Sequence, residues 1–341
     1  MDKKYALFLY IPAFVFLVGS AFLNCSTQEI TPEDSNNITD SLKIATLTFN
    51  QGGKKLVNDN IMHTHIRNWL NLANKNLDGQ PEVLLIALQE AGDDSIIKYI
   101  SSQTSLQLIY QDKKQQLTLG SMYNAVFANA QTTKLISKNG ANCGAFPNKG
   151  FLYATVNAKG FYLQPFSAHL PSDPKKPQER NNCLIKAMKN ATSDSTVIFS
   201  GDLNYRVSDL ESPTPEQTTI IQNLDCCKLG NAACVQEGKT LSKPQNDQLS
   251  NALTNYLSST GLYEKAINFS PTCRLKESTG GERDEKCYDT KRIPSFCDRT
   301  LVRQADNTKS KANIDIKNYI NLEISPKSDH LGVASFIELT R

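Results

Sequence analysis

Val197-Ile198-Phe199-Ser200-Gly201-Asp202-Leu203-Asn204-Tyr205-Arg206 begins as a short apolar, β-branched run and passes abruptly into polar residues. The run Val197–Ser200 has the composition of a buried strand. Asp202 and Asn204 then fall where a sheet scaffold presents chemically active groups on loops. Taken alone, an Asn or Asp at a strand end is a turn former or a helix cap. The same pattern recurs on both sides of it. Asn50 follows the run Leu42–Phe49, Glu90 follows Val83–Leu88, and His169 follows Phe161–Ala168. Asp329 and His330 lie just before Val333–Leu339. Further strand-like runs are Ala125–Ala128, Phe151–Val156 and Asn318–Ile324. Helix-like stretches lie between them at His63–Leu72, Asp94–Ile100, Pro177–Met188 and Asp247–Ser259. In the last of these Leu249, Leu253 and Leu257 share one helical face. Strands interleaved with helices predict an α/β or α+β fold with sheets covered by helices.

The N-terminus carries a different signal. Lys3 and Lys4 precede an apolar run from Tyr5 to Leu23, the layout of a secretory signal. Residues 1–25 are therefore expected to be a signal peptide or an N-terminal membrane anchor, and the protein to be exported. Cleavage near Gly19-Ser20-Ala21, lipid attachment at Cys25 and an uncleaved anchor remain alternatives. Residues 26–41, rich in Ser, Thr, Asn, Asp and Glu, read as a flexible linker. Residues 42–341 show no second linker and no repeat, and are expected to form one catalytic domain. Nine cysteines in an exported chain predict disulfides. The close trio Cys226, Cys227 and Cys234 lacks the paired spacing of a zinc site and is expected to include disulfide partners. A net charge of +3 is too small to argue for nucleic-acid binding by bulk electrostatics.

In order, these polar segments resemble the motifs of the endonuclease/exonuclease/phosphatase superfamily, within it the inositol polyphosphate 5-phosphatase branch. Phe199–Arg206 is similar to one signature of that branch. Arg292-Ile293-Pro294-Ser295-Phe296-Cys297-Asp298-Arg299-Thr300-Leu301 is similar to another, with Phe296 where Trp is usual, and Ser328-Asp329-His330 closes the set. The likeness runs from Leu42 to Leu339. It implies a DNase I-like α/β (α+β) sandwich of two packed mixed β-sheets flanked by helices, with the site at one edge.

The resemblance also implies roles. Glu90 would be the principal ligand of a magnesium ion, for which manganese can substitute, with Asn50 and Asp329 assisting. Asp202 would orient or deprotonate the attacking water, and Asn204 would hold water and phosphate in register. His169 and His330 would donate to phosphoryl oxygens, and Asp298 would fix His330. Such groups are what phosphate-ester hydrolysis requires: an aligned water and neutralised phosphoryl oxygens. Tyr205, Arg206, Arg274, Lys291 and Arg292 are the expected substrate-binding residues. Cys273 and Arg274 stand where a Tyr-Lys pair usually reads a 4-phosphate. Cys297 belongs to the motif in cytosolic members too, which implies a buried free thiol.

The expected activity is removal of the 5-phosphate from phosphoinositides or inositol polyphosphates. The expected partner is that substrate at a membrane surface, with no nucleic acid and a monomeric chain. Competing readings are a secreted nuclease of the genotoxin type, which Leu88-Gln89-Glu90-Ala91-Gly92 resembles, and a sphingomyelinase. A phosphoinositide-binding module without turnover is the non-enzymatic alternative.

Overall fold

A computed structural model describes residues 40–116, 120–143, 149–207, 212–223, 247–278, 288–308 and 310–341. The expectations for residues 1–25, for the linker up to residue 39 and for Cys226, Cys227 and Cys234 lie outside the described residues. Among the described residues no helix is long and apolar enough to cross a membrane.

Two mixed sheets carry the fold. The first contains β1 (Ser41–Asn50), β2 (Val83–Ala91), β3 (Gln107–Gln116), β4 (Gly120–Ala128), β10 (Asn313–Leu322) and β11 (Gly332–Thr340), in the order β10-β11-β1-β2-β4-β3. The second runs β5-β6-β7-β8-β9, built from β5 (Thr133–Asn142), β6 (Gly150–Ala158), β7 (Phe161–His169), β8 (Thr196–Asp202) and β9 (Asp298–Arg303). Among the described residues only β1–β2 and β7–β8 pair in parallel. Each of these two pairs is joined by a connection that includes a helix, as parallel neighbours require.

Alternation along the strands sorts the core into layers. Ile44, Val126, Val156, Ile198, Val302 and Ile337 belong to the cluster shared by both sheets. The opposite face of the first sheet packs on α1 (Asn60–Asn76) and α2 (Ser95–Gln103). Helix α1 buries Met62, Ile66, Trp69 and Ala73, one stripe at helical spacing. Its start is fixed by Asp59, whose carboxylate accepts from Met62 N at 3.0 Å. The outer face of the second sheet packs on α3 (Pro177–Met188) and α5 (Gln248–Asn255), with α4 (Pro215–Asn223) between them in sequence. The expected sandwich of two mixed sheets flanked by helices is the one found. Sequence reading missed β3, β5, β9 and α4.

Candidate active site

The strand ends bearing the polar residues converge through register. In the second sheet Gly150, His169, Asp202 and Asp298 form one continuous rung across β6, β7, β8 and β9. In the first sheet Asn50 pairs with Gln89, which sets Asn50 beside Glu90. Gly201 is required for this closeness, because a Cβ there would lie 2.1 Å from the Ala168 carbonyl oxygen. Glu90 occupies the left-handed region at φ 46°, where the β2–β4 register shifts between Leu88 and Ala91. Bulges re-aim side chains, and here the carboxylate turns into a groove instead of along the sheet.

That groove encloses about 450 Å³ and is lined by Asn50, Glu90, His169, Asp202, Asn204, Asp329 and His330, with the cations Lys149, Arg274 and Arg292 around them. Asn50 Nδ2 donates to Asp202 Oδ2 at 2.9 Å. His169 Nε2 lies 3.4 Å from Asp202 Oδ2 and 3.5 Å from Glu90 Oε1, and it meets the Lys149 ammonium. Asn204 takes the left-handed conformation at φ 55°, which Asn tolerates, and its N–H donates to Asp202 Oδ1 at 3.1 Å. His330 Nδ1 lies 2.7 Å from Asp298 Oδ2, and Asp329 Oδ2 accepts from Arg274 Nη1 at 2.8 Å.

Charge states follow from burial and neighbours. Burial alone would depress His330, but Asp298 and Asp329 more than offset it and push it up to about 9. Burial raises Asp298 to about 6 against the pull of His330. At neutral pH the two therefore form a carboxylate–imidazolium pair. His169 behaves oppositely: burial, then Lys149, takes it down to about 4, so it is neutral and accepts from the lysine. Burial would raise Asp202, yet the charges of His330 and Lys149 hold it well below the usual carboxylate range. Glu90 is raised by burial; the neighbouring Asp202 and Asp329 charges push the same way but are outweighed by Lys149 and His330.

The donor chemistry of this corner is a fit test for a cation. Glu90, Asp202, Asp329 and the Asn50 amide offer hard oxygen donors, the set that magnesium or manganese prefers. A divalent ion at Glu90 would stabilise the ionised carboxylate that burial disfavours. Asp202, Asp298 and His330 also bring ligand atoms within 4.8 Å of one another. There, however, Asp298 Oδ2 is committed to His330 Nδ1, and an imidazolium repels a cation. The donor set fits the metal at Glu90 better.

Three expected substrate contacts do not line the groove. Tyr205 is fully buried on the helix side, its hydroxyl donating to Asn181 Oδ1 at 2.7 Å, because it follows Asn204 and points the opposite way. Arg206 lies behind Asn204 and donates from Nη2 to its Oδ1 at 2.6 Å. Lys291 is exposed and only its neighbour Arg292 reaches the groove. Asp298 sits behind His330, in the supporting position. The expectation of a free thiol at Cys297 is also corrected, since Cys297 is bridged to Cys273. A residue outside the motif holds the Tyr position, and its sulfur reaches the motif cysteine. A second bridge joins Cys143 to Cys183. Sequence reading missed Lys149 altogether. Its signal was a cation in Pro147-Asn148-Lys149-Gly150, at the mouth of the Phe151–Val156 strand, the same placement that marked the other residues.

Several solved structures share this fold. The inositol polyphosphate 5-phosphatase domain of SPsynaptojanin, in complex with inositol (1,4)-bisphosphate and calcium, superposes with a TM-score of 0.64 at 18% identity, covering 89% of this chain and 85% of that one. A Cimex nitrophorin variant in its ferrous NO complex gives 0.59 at 16%, over 88% and 99%. A humanized D. rerio TDP2 gives 0.51 at 17%, over 86% and 98%. Among curated protein sequences none matches. The fold thus serves unlike proteins, and function has to be read from the site. Residues 47–336 match the profile of endonuclease/exonuclease/phosphatase family 2, so most of the chain is accounted for by that profile and the protein belongs to this family of hydrolases.

Proposed function

We propose that the protein is an exported, magnesium-dependent phosphatase that removes the 5-phosphate from phosphoinositides or inositol polyphosphates by in-line attack of water. The observation that carries this is one groove combining an acidic metal-fitting corner, a carboxylate positioned for water, an imidazolium and three cations. Glu90, with Asn50 and Asp329, would hold the ion, which when bound supplies Lewis-acid neutralisation of phosphoryl charge. Asp202, ionised and steadied by Asn50 Nδ2, takes the water's proton or aligns its lone pair. His330 donates from Nε2 to a phosphoryl oxygen, its charge secured by Asp298 at Nδ1. Neutral His169 does not bring charge itself but seats the Lys149 ammonium, which does.

Lys149, Arg274 and Arg292 around one small groove suit a substrate carrying more than one phosphate, and arginine reads phosphate with two parallel donors. The test is phosphate release, with magnesium, from a panel of phosphatidylinositol 4,5-bisphosphate vesicles, soluble inositol phosphates, sphingomyelin and plasmid DNA. Release from the inositol compounds alone is expected. Cleavage of only sphingomyelin or DNA replaces the reading with a phosphodiesterase, and binding of the vesicles without release replaces it with a binding module.

A further inference from the structure

The Cys273–Cys297 bridge lies at a joint between segments of the groove. Cys273 is followed by Arg274, which lines the groove and pairs with Asp329 at 2.8 Å. Cys297 is followed by Asp298, which holds His330 at 2.7 Å. Around the bridge the Thr272 hydroxyl accepts from Cys297 N and Asp298 N, both at 3.1 Å, and the Thr272 carbonyl accepts from Leu331 N at 2.7 Å. The Cys297 carbonyl accepts from Leu203 N at 2.7 Å. The segments that carry Asn204, Arg274, Asp298 and His330 therefore meet within a residue or two of the two sulfurs.

Arg206 connects this joint to the groove. Its Nη1 lies 3.3 Å from Cys273 Sγ and 3.0 Å from Cys297 Sγ, while Nη2 donates to Asn204 Oδ1 at 2.6 Å. The residue is 8% exposed, and among the described residues no carboxylate is paired with it. A buried guanidinium resting on weak sulfur acceptors and one amide is costly to keep, and is poor evidence of a stabilising role. What its planar fork does supply is a fixed geometry between the sulfurs and Asn204.

We propose that Cys273, Cys297 and Arg206 act as one positioning unit: the bridge clamps the Arg274 segment to the Asp298 strand, and the guanidinium seated on the sulfurs sets the Asn204 side chain. The inference rests on the phosphatase reading above and names what keeps that site in register. None of the three residues lines the groove, so the unit acts through Asn204, Arg274 and His330.

The test compares Cys273→Ala/Cys297→Ala, Arg206→Lys and the triple variant, using inositol 1,4,5-trisphosphate turnover with magnesium and orthophosphate affinity by calorimetry. Removing the bridge, or replacing the fork by a single ammonium, should each lower kcat by about tenfold or more, since small misplacements near the chemistry are costly. Arg206→Lys should leave KM within about threefold, because the side chain does not touch substrate. The triple variant should be no more than about twofold below the double, because Arg206 then has no bridge to sit on. A folded double variant with wild-type kcat, or losses that multiply in the triple, overturns the proposal. If the double variant does not fold, Arg206→Lys decides, and wild-type kcat there overturns it. If the wild type releases no phosphate, the functional reading falls. Orthophosphate affinity then decides the positioning role: a loss of about tenfold in the folded Cys273→Ala/Cys297→Ala variant, whose Arg274 is no longer clamped, supports it and no change overturns it.

Discussion

Asp202 sits at the centre of the site, with Asn50 and the Asn204 N–H bonded to its carboxylate and His169 nearby. Asp202→Ala should lower kcat by at least about 10²-fold while leaving the protein folded, as seen in phosphate-release kinetics beside a melting curve. Full turnover in that variant would remove Asp202 from the mechanism. Lys149→Met should lower kcat/KM by about 10²-fold or more, the scale of a lost charge-stabilising group, with Lys149→Arg partly restoring it. His330 sets a pH limit. Its pKa in the folded protein, about 9, is above the ordinary 6.5, so the folded state holds the proton more tightly. The stability this contributes is complete below about 6.5 and is lost as pH rises to about 9. The pair with Asp298, which titrates near 6, should also confine activity to a window of about pH 6 to 9. Asp298→Asn should move the alkaline limb of kcat/KM to lower pH, and an unmoved limb would mean that His330 is not the group observed.

At the level of elements, the site depends on how each strand stops. β2 reaches the groove only through the irregularity at Glu90, and β8 approaches β7 closely enough only with glycine at position 201. Behind them α1 presses Trp69, which is fully buried, onto the first sheet. Trp69→Ala should cost about 3–5 kcal/mol by denaturant unfolding, the usual range for emptying a large aromatic site. A loss below about 1 kcal/mol would show that this face is not close-packed. Strands ending in Asn50, Glu90, His169 and Asp202 were legible because their interiors are apolar and their ends are not. β5 was not, since Lys134, Ser137, Lys138 and Asn139 leave an exposed edge without the alternation that marks a half-buried strand. β3 shares that difficulty in its polar half, and β9 is six residues long, three of them charged. Its Asp298 and Arg299 read as motif residues instead of strand residues.

For the molecule as a whole, the pairing of β1 with β11 brings residues 278 positions apart, Asn50 and Ser328, into direct contact, with the Ser328 hydroxyl donating to the Asn50 carbonyl at 2.6 Å. An acidic corner assembled this way should need its cation. Chelation is expected to abolish phosphate release and magnesium to restore it. Magnesium should also raise the melting temperature, since at 100 times its dissociation constant a ligand adds about 2.7 kcal/mol. Activity that persists in chelator would rule out the metal-dependent route. Strand and helix periodicity was enough to reach an α/β or α+β fold, because buried strands demand apolar runs, and the resemblance of the ordered motifs supplied the family, the two-sheet sandwich and most of the groove, because hydrolytic chemistry demands particular polar ends. They were not enough to turn Tyr205 and Arg206 away from the groove, to join Cys273 to Cys297, or to bring Lys149 against His169. Each of those depends on which side of a backbone a side chain leaves and which distant segment lies there, and only the packed chain specifies both.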